Sequence, residues 1–141
     1  MDQIAYRDLW RYKYQLVEPY SVDTGIATGE RAATDSDWVV LEADGRLSLK
    51  DRYAWDGPSG PAFDTPNFMR GSLVHDALYQ LMRDEKLDRD RWRDPADRLL
   101  RTICRADGMS SFRAWYVYQG LRLKGRSSTL PRPERETHRA P

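Results

Sequence analysis

Cysteine and histidine are nearly missing from this chain, and their scarcity narrows its chemistry more than any abundance does. Cys104 is the single cysteine, so no disulfide can form within the chain and the core has to hold the fold. That suits a reducing compartment better than secretion. Two histidines, His75 and His138, are too few for a histidine-rich metallo-phosphohydrolase. Cys104 is remote from His75 in sequence and falls on an apolar stripe, so zinc also lacks a ligand set. Net charge is lacking too: 23 basic and 22 acidic side chains leave +1, no global field to steer nucleic acid. No run approaches the roughly 20 apolar residues of a transmembrane helix. Residues 1–20 mix charge with aromatics and have no signal-peptide core.

What is present suffices for one globular domain. The 141 residues are 40% hydrophobic and 11% aromatic, enough for a modest core and too few residues for two. No internal repeat is visible. The fold class read from the pattern is α+β, with a small N-terminal antiparallel sheet or hairpin packed by three helices, the central two antiparallel. The domain is expected to span 1–124, with 125–141, rich in Ser, Pro, Arg and Glu, as a disordered tail.

Arg11 to Val17 alternates as a strand that Glu18-Pro19 stops, and Ile26 marks a short second one. Trp38 to Glu42 and Leu47 to Lys50 form a hairpin across Asp44-Gly45, whose glycine supplies the positive φ of a tight turn. Tyr53 and Trp55 are expected to end that sheet. A first helix starts at Pro66, capped by Thr65 or Asp64, and carries Leu73, Val74, Ala77, Leu78, Leu81 and Met82 at helical spacing to about Asp84. A polar linker to Arg93, its arginines 89, 91 and 93 solvated, leads to Asp94-Pro95 as the start of a second helix. That helix has Leu99, Leu100, Ile103 and Cys104 as its inner stripe and ends near Asp107-Gly108. Ser110 caps a third, whose inward stripe is Phe112, Trp115, Tyr116 and Gln119 or Gly120. Trp10, Trp38, Trp92 and Trp115 read as core or rim aromatics.

The chemistry concentrates in the Gly/Pro-rich loop Trp55 to Pro61 and in His75-Asp76-Ala77-Leu78-Tyr79. Successive helical residues point about 100° apart, so Asp76 can face back to the loop while His75 faces a neighbouring helix. Asp97, three residues before Leu100, falls on the apolar stripe of the second helix, where a carboxylate must be paired or hydrogen-bonded. Gripping one nitrogen of His75 would satisfy it and leave the other as a general base. Two plainer readings stay open: Asp97 as a first-turn carboxylate favoured by the helix dipole, and Asp56 to Gly60 as a structural turn. Converging loop carbonyls beside Asp76 suit a hard cation such as calcium, which takes roughly 6 to 8 oxygens. Ser59 lacks the surroundings of a nucleophile elbow.

A glycine loop, a helix with His-Asp-x-x-Tyr, and a second helix with Ala96-Asp97-Arg98-Leu99-Leu100 resemble the phospholipase A2 enzymes in their short bacterial, fungal and parvoviral forms. The third helix, Ala114 to Tyr118 followed by Arg122 and Gly125, is similar to the Tyr-rich helix of the bacterial members. The resemblance implies His75 as general base and Asp97 as its partner. It implies Asp76, Asp56, Gly57 and Gly60 around calcium, and Tyr79 and Tyr116 as supporting hydroxyls. The substrate would be a membrane phospholipid or another ester. Residues 38–125 also resemble small phage and prophage proteins of unknown function with Asp-Gly-x-Ser-x-Pro, His-Asp-x-Leu-Tyr and a later Ala-Asp. This implies synthesis in a host cytoplasm, association with a virion and contact with phage structural proteins. The leading expectation is a calcium-assisted ester hydrolase. The alternative is a non-catalytic phage structural, tail-assembly or host-interaction protein that uses the same residues as a polar network.

Overall fold

A computed structural model describes residues 2–9, 13–57 and 65–132. The α+β class holds, with two small antiparallel sheets rather than one. In the first, strands β1 (Tyr6–Leu9), β2 (Lys13–Leu16) and β7 (Ala54–Trp55) lie in the order β1-β2-β7. In the second, β3 (Tyr20–Asp23), β4 (Ala32–Ala33), β5 (Val39–Leu41) and β6 (Arg46–Leu49) run β3-β6-β5-β4. The expected hairpin is β5–β6, with Val39 opposite Leu49 and Gly45 at φ +98° in its turn. Ile26 is buried but belongs to no strand, because Tyr20–Asp23 is the segment that pairs with β6. Trp55 does not end the hairpin sheet. It pairs with Tyr14 in the other one.

Helix α1 (Pro66–Arg83) starts on its proline as expected, after Thr65. The Thr65 hydroxyl does not cap it, but donates to Asn67 Oδ1 at 2.6 Å. Asp64 lies outside the described residues. Leu73, Val74, Ala77, Leu78, Leu81 and Met82 are all buried, with Leu16, Val39, Leu41 and Leu47 of the sheets in the same core.

Helix α2 (Arg89–Ala106) begins earlier than the Asp94-Pro95 pair suggests. Asp88 is the cap, its carboxylate accepting the backbone N–H of Asp90 at 3.0 Å and of Arg91 at 3.4 Å. Pro95 sits inside the helix, so the arginines of the supposed linker are helical. Arg89 is largely covered and donates to the carbonyls of Met82 and Thr129.

α1 and α2 run antiparallel, since Gly71 meets Cys104, His75 meets Asp97 and Met82 meets Arg89. A Cβ at Gly71 would lie 2.6 Å from Cys104 Sγ, so glycine sets how closely the two helices cross.

Helix α3 (Ser111–Lys124) is capped by Ser110, which accepts the Arg113 N–H at 3.2 Å. Its packing face is the reverse of the expected one. Ala114 is buried, and Val117 and Leu121 pack on Phe68, Leu100, Cys104 and Met109, while Phe112, Trp115 and Tyr116 point to solvent. Gly125–Thr129, within the expected disordered tail, forms a 3-10 turn with Thr129 fully buried; residues 133–141 lie outside the described part.

Candidate active site

His75 comes from the middle of α1 and Asp97 from the third turn of α2, both buried, with 4% and 0% of their surface open. His75 Nε2 donates to Asp97 Oδ1 at 2.7 Å. Because α2 starts at Arg89, Asp97 is well past the first turn, where the dipole favours carboxylates. The first-turn reading therefore fails, and the carboxylate is held by partners. Tyr79, one turn after His75, donates its hydroxyl to the same Oδ1 at 2.5 Å, and the two rings lie 3.9 Å apart. Arg122 of α3 donates from Nη1 to Oδ2 at 2.9 Å. Burial alone would raise the Asp97 carboxyl, but hydrogen bonds from His75 and Tyr79, the His75 charge and the Arg122 hydrogen bond outweigh it and hold the group below the ordinary range.

Tyr116 is not at this site and points outward. Tyr118 is the inward hydroxyl of α3, donating to Asp94 Oδ1 at 2.7 Å, and Asp94 lies 3.7 Å from Arg122. Gly125 completes the enclosure: a Cβ there would stand 2.8 Å from the Tyr79 hydroxyl. Arg122, Tyr118 and Gly125 reach the site from the end of the chain. The sequence signal for them was the conjunction of an aromatic helix with a following Arg and Gly, which does not reveal which ring faces in.

The ring's other nitrogen, Nδ1, faces Asp76, whose Oδ1 is 4.0 Å away, beyond hydrogen-bonding distance. Among the described residues every fully buried side-chain nitrogen or oxygen has a partner. Nδ1 has no hydrogen-bond partner among them. With Nε2 as the donor to Asp97, Nδ1 is the basic atom.

Asp56 and Asp76 are brought together by two ties from the segment 53–55 to α1. Trp55 Nε1 donates to Ser72 Oγ at 3.1 Å, and the Tyr53 hydroxyl to Gln80 Oε1 at 2.8 Å. Gly57 takes φ +76°, and a Cβ on it would strike the Tyr14 ring at 2.5 Å. Burial, then the negative charge of Asp56, push the Asp76 carboxyl up to about 7, against the opposing pull of Arg83, the Asp56 backbone N–H and Arg132. Two carboxylates crowded this way form a donor pair that a hard cation would relieve. Among the described residues no group of three or more His, Cys, Asp or Glu side chains could hold a metal. Further ligands would have to be backbone oxygens; Gly57 is described, whereas Gly60 and Ser59 lie outside the described residues. No family model, no curated protein and no solved structure matches the chain.

Proposed function

We propose that the chain is a phospholipase A2-like ester hydrolase in which His75 is the general base and Asp97 its partner. The observation that carries this reading is the polarised imidazole. Nε2 is committed to a buried carboxylate, and Nδ1 is turned toward an acidic, partly open position. In the reaction Nδ1 takes a proton from water, whose oxygen bonds to the acyl carbon of the ester. Collapse of the tetrahedral species breaks the carbon–oxygen bond to the alcohol, which leaves with the proton held on His75. Asp97 stabilises the transient imidazolium across 2.7 Å. Arg122 and Tyr79 keep Asp97 ionised and fixed, so no carboxylate motion is needed during the step.

Asp76 and Asp56, with the Gly57 carbonyl and the loop that follows, are the residues that would hold calcium. When bound, the cation would polarise the ester carbonyl and stabilise the developing oxyanion. A phage or prophage origin, synthesis in the host cytoplasm and association with the virion belong to the same proposal on the motif resemblance alone.

One observation favours a second reading. His75 is almost covered, and Asp97 is satisfied by three donors, as in a polar knot that locks α1, α2 and α3 together in a non-catalytic phage component. Fatty-acid release from mixed phospholipid micelles decides between them. The hydrolytic reading expects calcium-dependent turnover that EDTA abolishes and that His75→Asn removes while folding is retained. Turnover unaffected by His75→Asn, or none with calcium present, overturns it.

A further inference from the structure

Helix α3 carries on its outer side a seam that its packing leaves uncovered. Phe112, Trp115, Tyr116, Gln119 and Leu123 follow the spacing of one helical face. Phe112 is 74% and Leu123 83% exposed, with Trp115 and Tyr116 about half open. Phe112 and Trp115 stand with ring centroids 6.2 Å apart, so the rings form one patch rather than scattered contacts. An apolar seam facing outward is costly to keep in water unless something covers it in use.

The charge around the seam says what that is. Residues 89–126, the two helices and the turn after them, contain ten arginines and lysines and four acids, in a chain whose net charge is +1. Each acid is paired, Asp90 with Arg126, Asp94 with Arg98, Asp97 with Arg122 and Asp107 with Arg70. Arg101, Arg105 and Lys124 are exposed and have no carboxylate partner among the described residues. The α2–α3 hairpin thus presents aromatic and aliphatic side chains together with an excess of cations, its acids being paired.

We propose that this face docks on an anionic lipid surface. Tryptophan and tyrosine rings settle at the headgroup boundary, Phe112 and Leu123 reach the acyl region, and the cations sit against lipid phosphates. A second copy of the chain is disfavoured, because the same excess of cations would meet itself. Nucleic acid would accept the rings and cations but gives no place to Leu123 at the end of the seam. No helix among the described residues is long and apolar enough to cross a membrane, so the contact is peripheral. The inference stands on α3 and not on the His75 dyad.

The test is co-sedimentation with vesicles of phosphatidylcholine alone and of phosphatidylcholine mixed equally with phosphatidylglycerol, at low and high salt. The expected result is binding at least tenfold tighter to the anionic vesicles, weakened by salt. Phe112→Ser/Trp115→Ser should lower it at least tenfold, and Arg101→Glu/Lys124→Glu should remove the anionic preference. These side chains point outward, and thermal melting verifies that each variant stays folded. His75→Asn should bind as the unaltered chain does, which separates docking from turnover. No vesicle binding, equal binding by the Phe112/Trp115 variant, preferential capture of a DNA oligonucleotide, or self-association lost in that variant would each overturn the proposal.

Discussion

Replacing Asp97 by asparagine keeps the shape of the site and inverts its proton logic. Asp97 accepts three hydrogen bonds, from His75 and Tyr79 on Oδ1 and from Arg122 on Oδ2. An asparagine amide cannot present its NH2 to Arg122, which only donates. It is therefore forced to turn its oxygen to Arg122 and its NH2 to the other two. Tyr79 can accept, and His75 can accept on Nε2 only by moving its proton to Nδ1. Only the Tyr79 O–H then loses its acceptor, so the loss of stability should stay below that of a stripped site, about 1–3 kcal/mol. The atom proposed as the base is nevertheless protonated, and turnover should fall by about 10⁴, the scale set by tautomer inversion in other His–Asp pairs. Asp97→Ala differs: it leaves His75, Tyr79 and the Arg122 charge without an acceptor and should cost about 3–5 kcal/mol. Denaturant unfolding of both variants, beside ester turnover of Asp97→Asn, reads the two effects separately. Equal destabilisation of the two variants, or turnover in Asp97→Asn within tenfold of the unaltered chain, would mean that the amide does not invert the tautomer.

Arg122→Met should weaken the hold on Asp97 and cost about 1–3 kcal/mol, since its side chain is two-thirds covered; urea midpoints at pH 7 measure this. The Asp97 carboxyl lies below its ordinary value in the folded chain. The stability it contributes is therefore present above the normal carboxylate range and is lost as pH falls through and below it, and unfolding titrations from pH 6 to 2 should lose that slope in Asp97→Asn. Asp76 has the opposite sign. Its folded value of about 7 lies above the unfolded one, so stability declines as pH rises from about 4 to 7. Asp76→Asn should remove the decline and stabilise the calcium-free chain at pH 8 by about 2 kcal/mol, discounted for its partial exposure. Gly71→Ala should cost about 1–3 kcal/mol by pressing on Cys104 Sγ at 2.6 Å. Adding Cys104→Ala should recover part of it, and a double-mutant cycle of unfolding free energies checks the coupling.

The sequence was legible where a local rule had no competitor. Pro66 at a helix start, Asp44-Gly45 in a hairpin and Ser110 as a cap all sit where their conformational preferences place them. His75 and Asp97 were legible as a pair because a carboxylate on the apolar face of α2 needs a donor from the facing helix. The start of α2 was not, because Asp88 offers the backbone two hydrogen bonds and the helix extends through Pro95 at the cost of one. Strands β1, β3 and β4 are short, four residues or fewer, and β3 pairs with the distant β6, Tyr20 opposite Leu49. Periodicity on α3 identified a face correctly and its direction wrongly. Small Ala114 with Val117 and Leu121 fits against α2, and the larger rings are left outside. Arg122 lies 25 residues from Asp97, with nothing local to announce the contact.

The most direct measurement is the tautomer of His75, read from its ring nitrogens by long-range proton–nitrogen NMR at pH 8. The chain has only two histidines, so His75→Asn assigns the signal at once. A proton fixed on Nε2 and a bare, basic Nδ1 are expected. A proton on Nδ1, or the averaged signal of a ring exchanging freely in water, would contradict this.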